Sequence, residues 1–252
     1  MAQGISVSRK EIWQITYPII FGNLAQTIIV LVNTIFLGHI GTAELGAAMM
    51  AGLYYLVFTT FTQGFAIGVQ ILVARRLGEG NLREIGPIFE HGFLFTLLLG
   101  LSLFGVLHFC TASILGGIIH SENIYVSAIK FMDFRKWGII FVSMNYLFRC
   151  LYIGLSNTKI ITYTTLAMAA VNIFFDYALI FGHFGLPQMG VAGAGLSSVL
   201  AEITACIVFF LYTFAKLPYK DYNLFSFKTF EWNLLGRILK ISLPTMFQRL
   251  IS

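Results

Sequence analysis

Asp176 lies four residues after Asn172, and it is the only charged residue in the otherwise apolar run 160–182. Residues four apart share one face of a helix. A carboxylate sunk in apolar surroundings needs a counter-charge, a cation or a proton, so Asp176 is the residue here most able to do chemistry. Ser198 and Glu202 repeat the spacing in the run 191–215, where Glu202 is again the only charge. Asn23, Gln26 and Asn33 make a polar stripe in an earlier run, and Thr59, Gln63 and Gln70 make another. Taken singly, such groups also serve as hydrogen-bonding glue between buried helices, worth about 0.6–2 kcal/mol each. Four stripes on four segments are all satisfied at once if they converge on one internal cavity.

The segments that must position these stripes are membrane helices. Of 252 residues, 58% are hydrophobic and 11% charged, against about 25% charged in soluble domains. That is too little charge to coat a water-soluble fold, and it excludes a soluble enzyme, a disordered chain and a disulfide scaffold. A helix needs about 20 residues to cross the hydrocarbon. Residues 12–43 and 45–74 carry no Asp, Glu, Lys or Arg, which predicts spans over about 13–37 and 47–73. Further spans are expected near 89–110, 130–146, 160–182 and 191–215, with a seventh beginning near Ile241. The fourth is the weakest, because Lys130, Asp133, Arg135 and Lys136 crowd its start. The predicted fold is all-α, a polytopic membrane bundle of six transmembrane helices plus the start of a seventh.

The basic residues give orientation. Arg9, Lys10, Arg75, Arg76, Arg83, Arg149, Lys159, Lys216, Lys220, Lys228, Arg237 and Lys240 fall on one side, and Lys130, Arg135 and Lys136 on the other. The positive-inside rule makes the first side cytoplasmic, N-terminus included. Basic residues that flank spans read as a topology signal and not as a nucleic-acid surface. Cys110, Cys150 and Cys206 are far apart, without CxxC spacing, and read as small core residues. The five histidines show no second ligand at helical spacing, and no HExxH, GxSxG or P-loop pattern occurs. Gly190, Gly193 and Gly195 are expected to let helices approach closely.

Ile15–Leu24 (ITYPIIFGNL) and Ile241–Leu250 (ISLPTMFQRL) share four of ten residues, each after a short basic segment. Transporters are often built from repeated halves with the route between them. An offset of 226 predicts a twelve-helix protein of about 450 residues. Residues 1–225 would be its N-terminal lobe, and 226–252 the inter-lobe linker with the truncated start of the C-terminal lobe. A half-span at Ser252 is expected of a chain that continues into that missing lobe.

LVNTIFLGHIGTAELGAA (31–48), VARRLGEGN (73–81), FRCLYIGLSNTK (148–159), VNIFFDYALIFG (171–182) and MGVAGAGLSS (189–198) resemble the multidrug and toxic compound extrusion (MATE) family. The likeness runs from about Ile12 to Ile251. It implies the N-terminal lobe of a V-shaped, twelve-helix antiporter in the cell membrane, a bacterial inner membrane by the family's usual setting. Its expected substrates are small organic cations and other drugs, exported in exchange for Na+ or H+ with no cofactor. Carried over residue by residue, the family's N-lobe cation site falls on Asn172, Asp176 and Ser198, the last where Thr is familiar. The acidic residue of the first span falls on Asn33, a departure. An amide oxygen can coordinate sodium but supplies neither charge nor a proton. The resemblance therefore implies a site with one certain carboxylate, where Asp176 and Asn172 would hold Na+, and Glu202 is a candidate supplement.

Drug contact is expected from Gln26, Tyr55, Gln63, Met144, Tyr146 and Met168, whose aromatic and soft side chains suit organic cations. Core or lipid-facing packing is the alternative for each. The second functional reading is a lipid-linked saccharide flippase of the same superfamily. It needs cations deep in the cavity, and Arg135 and Lys136 are the only candidates counted there. A membrane-embedded enzyme is the third, without a visible nucleophile and base.

Overall fold

The computed structural model describes residues 9–226 and 231–251, and the elements among them are helices. They are α1 (Arg9–Ile40), α2 (Thr42–Gly78), α3 (Ile85–Ile118, after a 3-10 turn Leu82–Glu84), α4 (Glu122–Arg135), α5 (Gly138–Gly154), α6 (Lys159–Phe181), α7 (Val191–Lys216) and α8 (Trp232–Ile251). Five are long and apolar enough to cross a membrane, or six with α4 and α5 taken as one span bent by 55°. Short connections turn each span back on the last, so the starts of α1, α3 and α6 share an end with the finishes of α2, α5 and α7. Gly41 alone separates α1 from α2. Gly182 ends α6 in the left-handed region at φ 77°, a conformation that costs a side-chain-bearing residue energy.

Three expectations need correction. Several spans run past their expected limits, among them α2, covering 42–78 where about 47–73 was expected, and α3, covering 85–118 where about 89–110 was expected. At 1.5 Å per residue, helices of this length project past the hydrocarbon or tilt within it. The fourth span is two helices, because the charges at 130–136 end α4 and Gly138 begins α5. The last helix starts at Trp232, well before Ile241.

Close packing rests on glycine at two crossings. A Cβ on Gly195 of α7 would lie 2.5 Å from the Phe131 carbonyl oxygen of α4. A Cβ on Gly68 of α2 would lie 2.7 Å from Ser242 Cα of α8. At that second crossing, Thr245 Oγ1 donates to Gly64 O at 2.7 Å and Ser242 Oγ to Phe65 O at 3.2 Å. α8 carries Pro244 inside the helix as α1 carries Pro18, in keeping with the sequence repeat. The segment before α8 is fastened to α3. Gly86 N–H donates to Tyr222 O at 2.9 Å, Ser226 N–H to Glu90 at 2.5 Å, and Glu231 N–H to His91 Nε2 at 2.7 Å. His91 is thus a helix-to-linker fastener.

Buried side chains form two clusters. One gathers aromatic residues, with Phe148 and Phe209 stacked at 5.6 Å and Tyr152 beside Phe209 at 5.9 Å. The other is built from smaller residues, including Ala47, Ala51, Ala128 and Ala194.

Candidate functional site

Asp176 is fully buried and Asn172 1% exposed, on the face of α6 between α1 and α7. The carboxylate stands a turn and a half from the end of α6, nearer that end than the middle. α1 brings Asn33 to it. With the amide nitrogen turned toward its acceptors, Asn33 has Asn172 Oδ1 at 3.0 Å, Ile29 O at 3.1 Å and Asp176 within reach, and its two N–H hydrogens serve two of them at a time. α7 brings Ser197, whose hydroxyl faces the Asp176 carboxylate and the Ala194 carbonyl, the latter at 3.0 Å. The one hydroxyl hydrogen serves one of these at a time.

The hydroxyl at Asp176 is therefore Ser197 and not Ser198, which donates to Ala194 O at 2.9 Å. The reason is helical register. Gly193 presses on the backbone of Leu179, which turns 193 and its i+4 neighbour 197 toward α6. Ser198 sits a further 100° round the helix.

Asp176, Asn172 and Ser197 oxygens, the Ile29 carbonyl and the Asn33 amide oxygen when turned inward form an all-oxygen donor set. Such a set suits a hard cation. Among the described residues no group of three or more His, Cys, Asp or Glu could hold a metal ion, and the side chains bonded to Asp176, Asn33 and Ser197, are neutral.

Glu202 is elsewhere and engaged. Arg135, the last residue of α4, donates through Nη2 to Glu202 Oε1 at 2.7 Å. Its guanidinium lies 4.1 Å from the centroid of the Tyr55 ring, a cation–π contact. A Cβ on Gly138 would collide with both charged groups, so the glycine at the bend is what lets the pair close. Glu202 is thus neutralised by an arginine and is not brought to Asp176. Lys136 pairs with Asp133 at 3.0 Å.

A cavity of about 280 Å³ opens among α1, α2, α5, α6 and α7. Gln26, Gln63, Tyr146 and Met168 line it, as does Glu202. Tyr55 and Met144 do not. Both are 4% exposed and packed away, Tyr55 beneath Arg135. Sequence reasoning missed Asn145, Thr164, Thr165 and Arg149 in the lining. Thr164 and Thr165 return their hydroxyls to Ile160 and Ile161 carbonyls at 2.8 and 2.7 Å, which lets them sit in an apolar helix without a partner helix. Arg149 had been counted with the flanking basic residues. It stands more than a turn inside α5, and its Nη2 donates to Asn23 Oδ1 at 3.0 Å.

The MatE family model matches residues 18–178, well over half of the chain. The chain belongs to the MatE family. Among curated proteins, it is 29% identical over 231 residues to the probable multidrug resistance protein NorM of Agrobacterium fabrum, covering 90% of this chain and 49% of that one. It is 30% identical over 188 residues to the protein of that name in Streptococcus pneumoniae R6, covering 75% and 42%. The MatE chain thus spans about half the length of the curated relatives it matches. These relatives are named as multidrug resistance proteins and not as enzymes.

Two of the solved structures that share the fold illustrate it. One is described as the outward-facing conformation of a multidrug resistance MATE family transporter of the MOP superfamily. It has a TM-score of 0.85 and 20% identity, and the match covers 96% of this chain and 52% of that one. The other is a MOP superfamily transporter from Pyrococcus furiosus, described as having a binding pocket of reverse polarity that suggests a different function. Its TM-score is 0.86 at 18% identity, over 96% and 52%.

Proposed function

We propose that residues 1–225 form the first lobe of a secondary antiporter that exports drug-like organic compounds in exchange for Na+ or H+, with residues 226–252 leading into a second lobe. The lobe would sit in a cell membrane with its N-terminus cytoplasmic. The observation that carries the reading is the arrangement at Asp176. A wholly buried carboxylate on α6 is held by side chains from two other helices, Asn33 of α1 and Ser197 of α7.

Facing one side, the carboxylate takes up a proton or holds sodium with the Asn172, Ser197 and Asn33 oxygens. Either event neutralises the buried charge: a proton releases the Asn33 and Ser197 donors that now point at it, and sodium turns the oxygens of the same residues to itself. Those donors lie on different helices, so α1 and α7 repack about α6. A bound cation shifts the inward–outward balance by as much as it binds the two states differently. The 280 Å³ cavity, with Gln26, Gln63, Tyr146 and Met168, receives part of the substrate beside this site.

The test is efflux from liposomes carrying the whole transporter, under separately imposed sodium and proton gradients, beside Asp176→Asn. One gradient should drive efflux in the wild type, and the variant should lose at least 90% of that gradient-dependent rate. Unchanged coupling in the variant would place the energised site outside this lobe.

The flippase reading gains one observation. Arg149, absent from the earlier count of deep cations, lines the cavity. Flippase activity predicts movement of a lipid-linked pyrophosphate that no imposed drug competes with.

A further inference from the structure

We infer that the cavity of this lobe takes an amphipathic organic anion, its acidic group on Arg149 and its apolar body along Val142, Ile161, Met168 and Phe209. The inference deepens the export reading and rests on it. It replaces the organic cation expected from the sequence.

The charged groups a ligand can reach decide the sign of the cavity. Glu202 and Arg149 are the charged residues lining the cavity. Glu202 is cancelled by Arg135, which approaches it from behind the wall at 2.7 Å and is not itself part of the lining. Asp176 is wholly buried, held by Asn33 and Ser197, and does not line the cavity either. Arg149 remains, bound to the neutral Asn23 amide at 3.0 Å, with no carboxylate within ion-pair distance among the described residues. The charge presented to a ligand is therefore positive. A guanidinium is planar and offers a two-pronged donor edge that matches carboxylate, sulfonate and phosphate oxygens. In a half-enclosed cavity that attraction is screened less than at an open surface.

The ligand class is an aryl or alkyl acid, its carboxylate, sulfonate or phosphate oxygens on Arg149 and its body against the apolar part of the lining.

The experiment titrates this chain in nanodiscs of zwitterionic lipid with an aminonaphthalene sulfonate and with its trimethylammonium counterpart on the same ring system. The sulfonate is expected to bind at least tenfold more tightly. Arg149→Gln should abolish the preference, and Arg149→Lys should retain part of it, which separates lost charge from lost folding. A repeat with anionic phosphatidylglycerol in the disc distinguishes the source of the anion. Competition by the lipid assigns the site to a headgroup, and none assigns it to a soluble compound, both with anion chemistry intact. Equal binding of the two probes, tighter binding of the cation, binding of neither, or a preference that survives Arg149→Gln would overturn the inference. Loss of gradient coupling in Asp176→Asn alongside any of those results would leave the export reading standing without it.

Discussion

Charge placement at single residues separates two carboxylates that looked alike in the chain. Each is the lone charge of an apolar run, and each has a polar residue four positions before it. Asp176 meets neutral donors, whereas Glu202 meets an arginine from a segment some 67 positions away in sequence. That contrast was not legible beforehand, because helical periodicity relates residues on one helix and says nothing of which face meets which neighbour. A stability difference follows. Breaking a buried ion pair from one side leaves an uncompensated charge and costs about 3–5 kcal/mol, while replacing both partners with apolar groups costs far less. Glu202→Met and Arg135→Met should each lower the thermal midpoint of the purified chain sharply. The double variant Arg135→Met/Glu202→Met should recover most of the loss. Additive loss in the double variant would show that the two side chains stabilise the bundle independently of each other.

For helices, what the sequence reveals depends on how self-contained the signal is. The charge-free runs at 12–43 and 45–74 located α1 and α2 because hydrocarbon tolerates little else over that length. The bend between α4 and α5 was hidden, since it needs Gly138 to make room for an ion pair supplied partly by α7. Ser197 was missed for a related reason. Either of two adjacent serines satisfies the pattern, and only the contact of Gly193 with Leu179 selects one. Gly193 and Gly195 read correctly as packing devices, whereas Gly190, at φ 56° with nothing within 4 Å of an added carbon, precedes α7 without a close approach. The packing glycines give a paired prediction. Gly195→Val drives side-chain carbon into the Phe131 carbonyl and should destabilise by about 1–3 kcal/mol. Gly105→Val, where nothing lies within 4 Å of the added carbon, should change stability by about 0.5 kcal/mol or less. Thermal unfolding of both variants in one detergent checks the contrast, and equal effects would remove the close α4–α7 crossing as its cause.

At the scale of the whole molecule, the Ile241–Leu250 likeness to Ile15–Leu24, its shared proline included, is the feature behind the proposed second repeat. α8 lies against α2 through Gly64 and Gly68, so the beginning of that proposed unit would already be tied into this one. Membrane orientation then decides what that junction faces. Twelve of the sixteen Lys and Arg residues fall at one end by the count of flanking segments. Moving Arg149 from the flank into the cavity still leaves eleven there against three at the other end, and the positive-inside rule keeps its sign. The turn after α2 and the α3–linker contact should therefore be cytoplasmic, and the turn between α3 and α4 external. Single cysteines at Asn81 and Ser121, both exposed, report this in a chain whose Cys110, Cys150 and Cys206 are replaced. Ser121→Cys should react with a membrane-impermeant maleimide in intact cells, and Asn81→Cys only after the membrane is opened. The reverse pattern would invert the lobe. Asp176, near the α6 end on the Ser121 side, would then load its cation from the cytoplasm, and the direction of exchange argued for the transporter would have to be reversed with it.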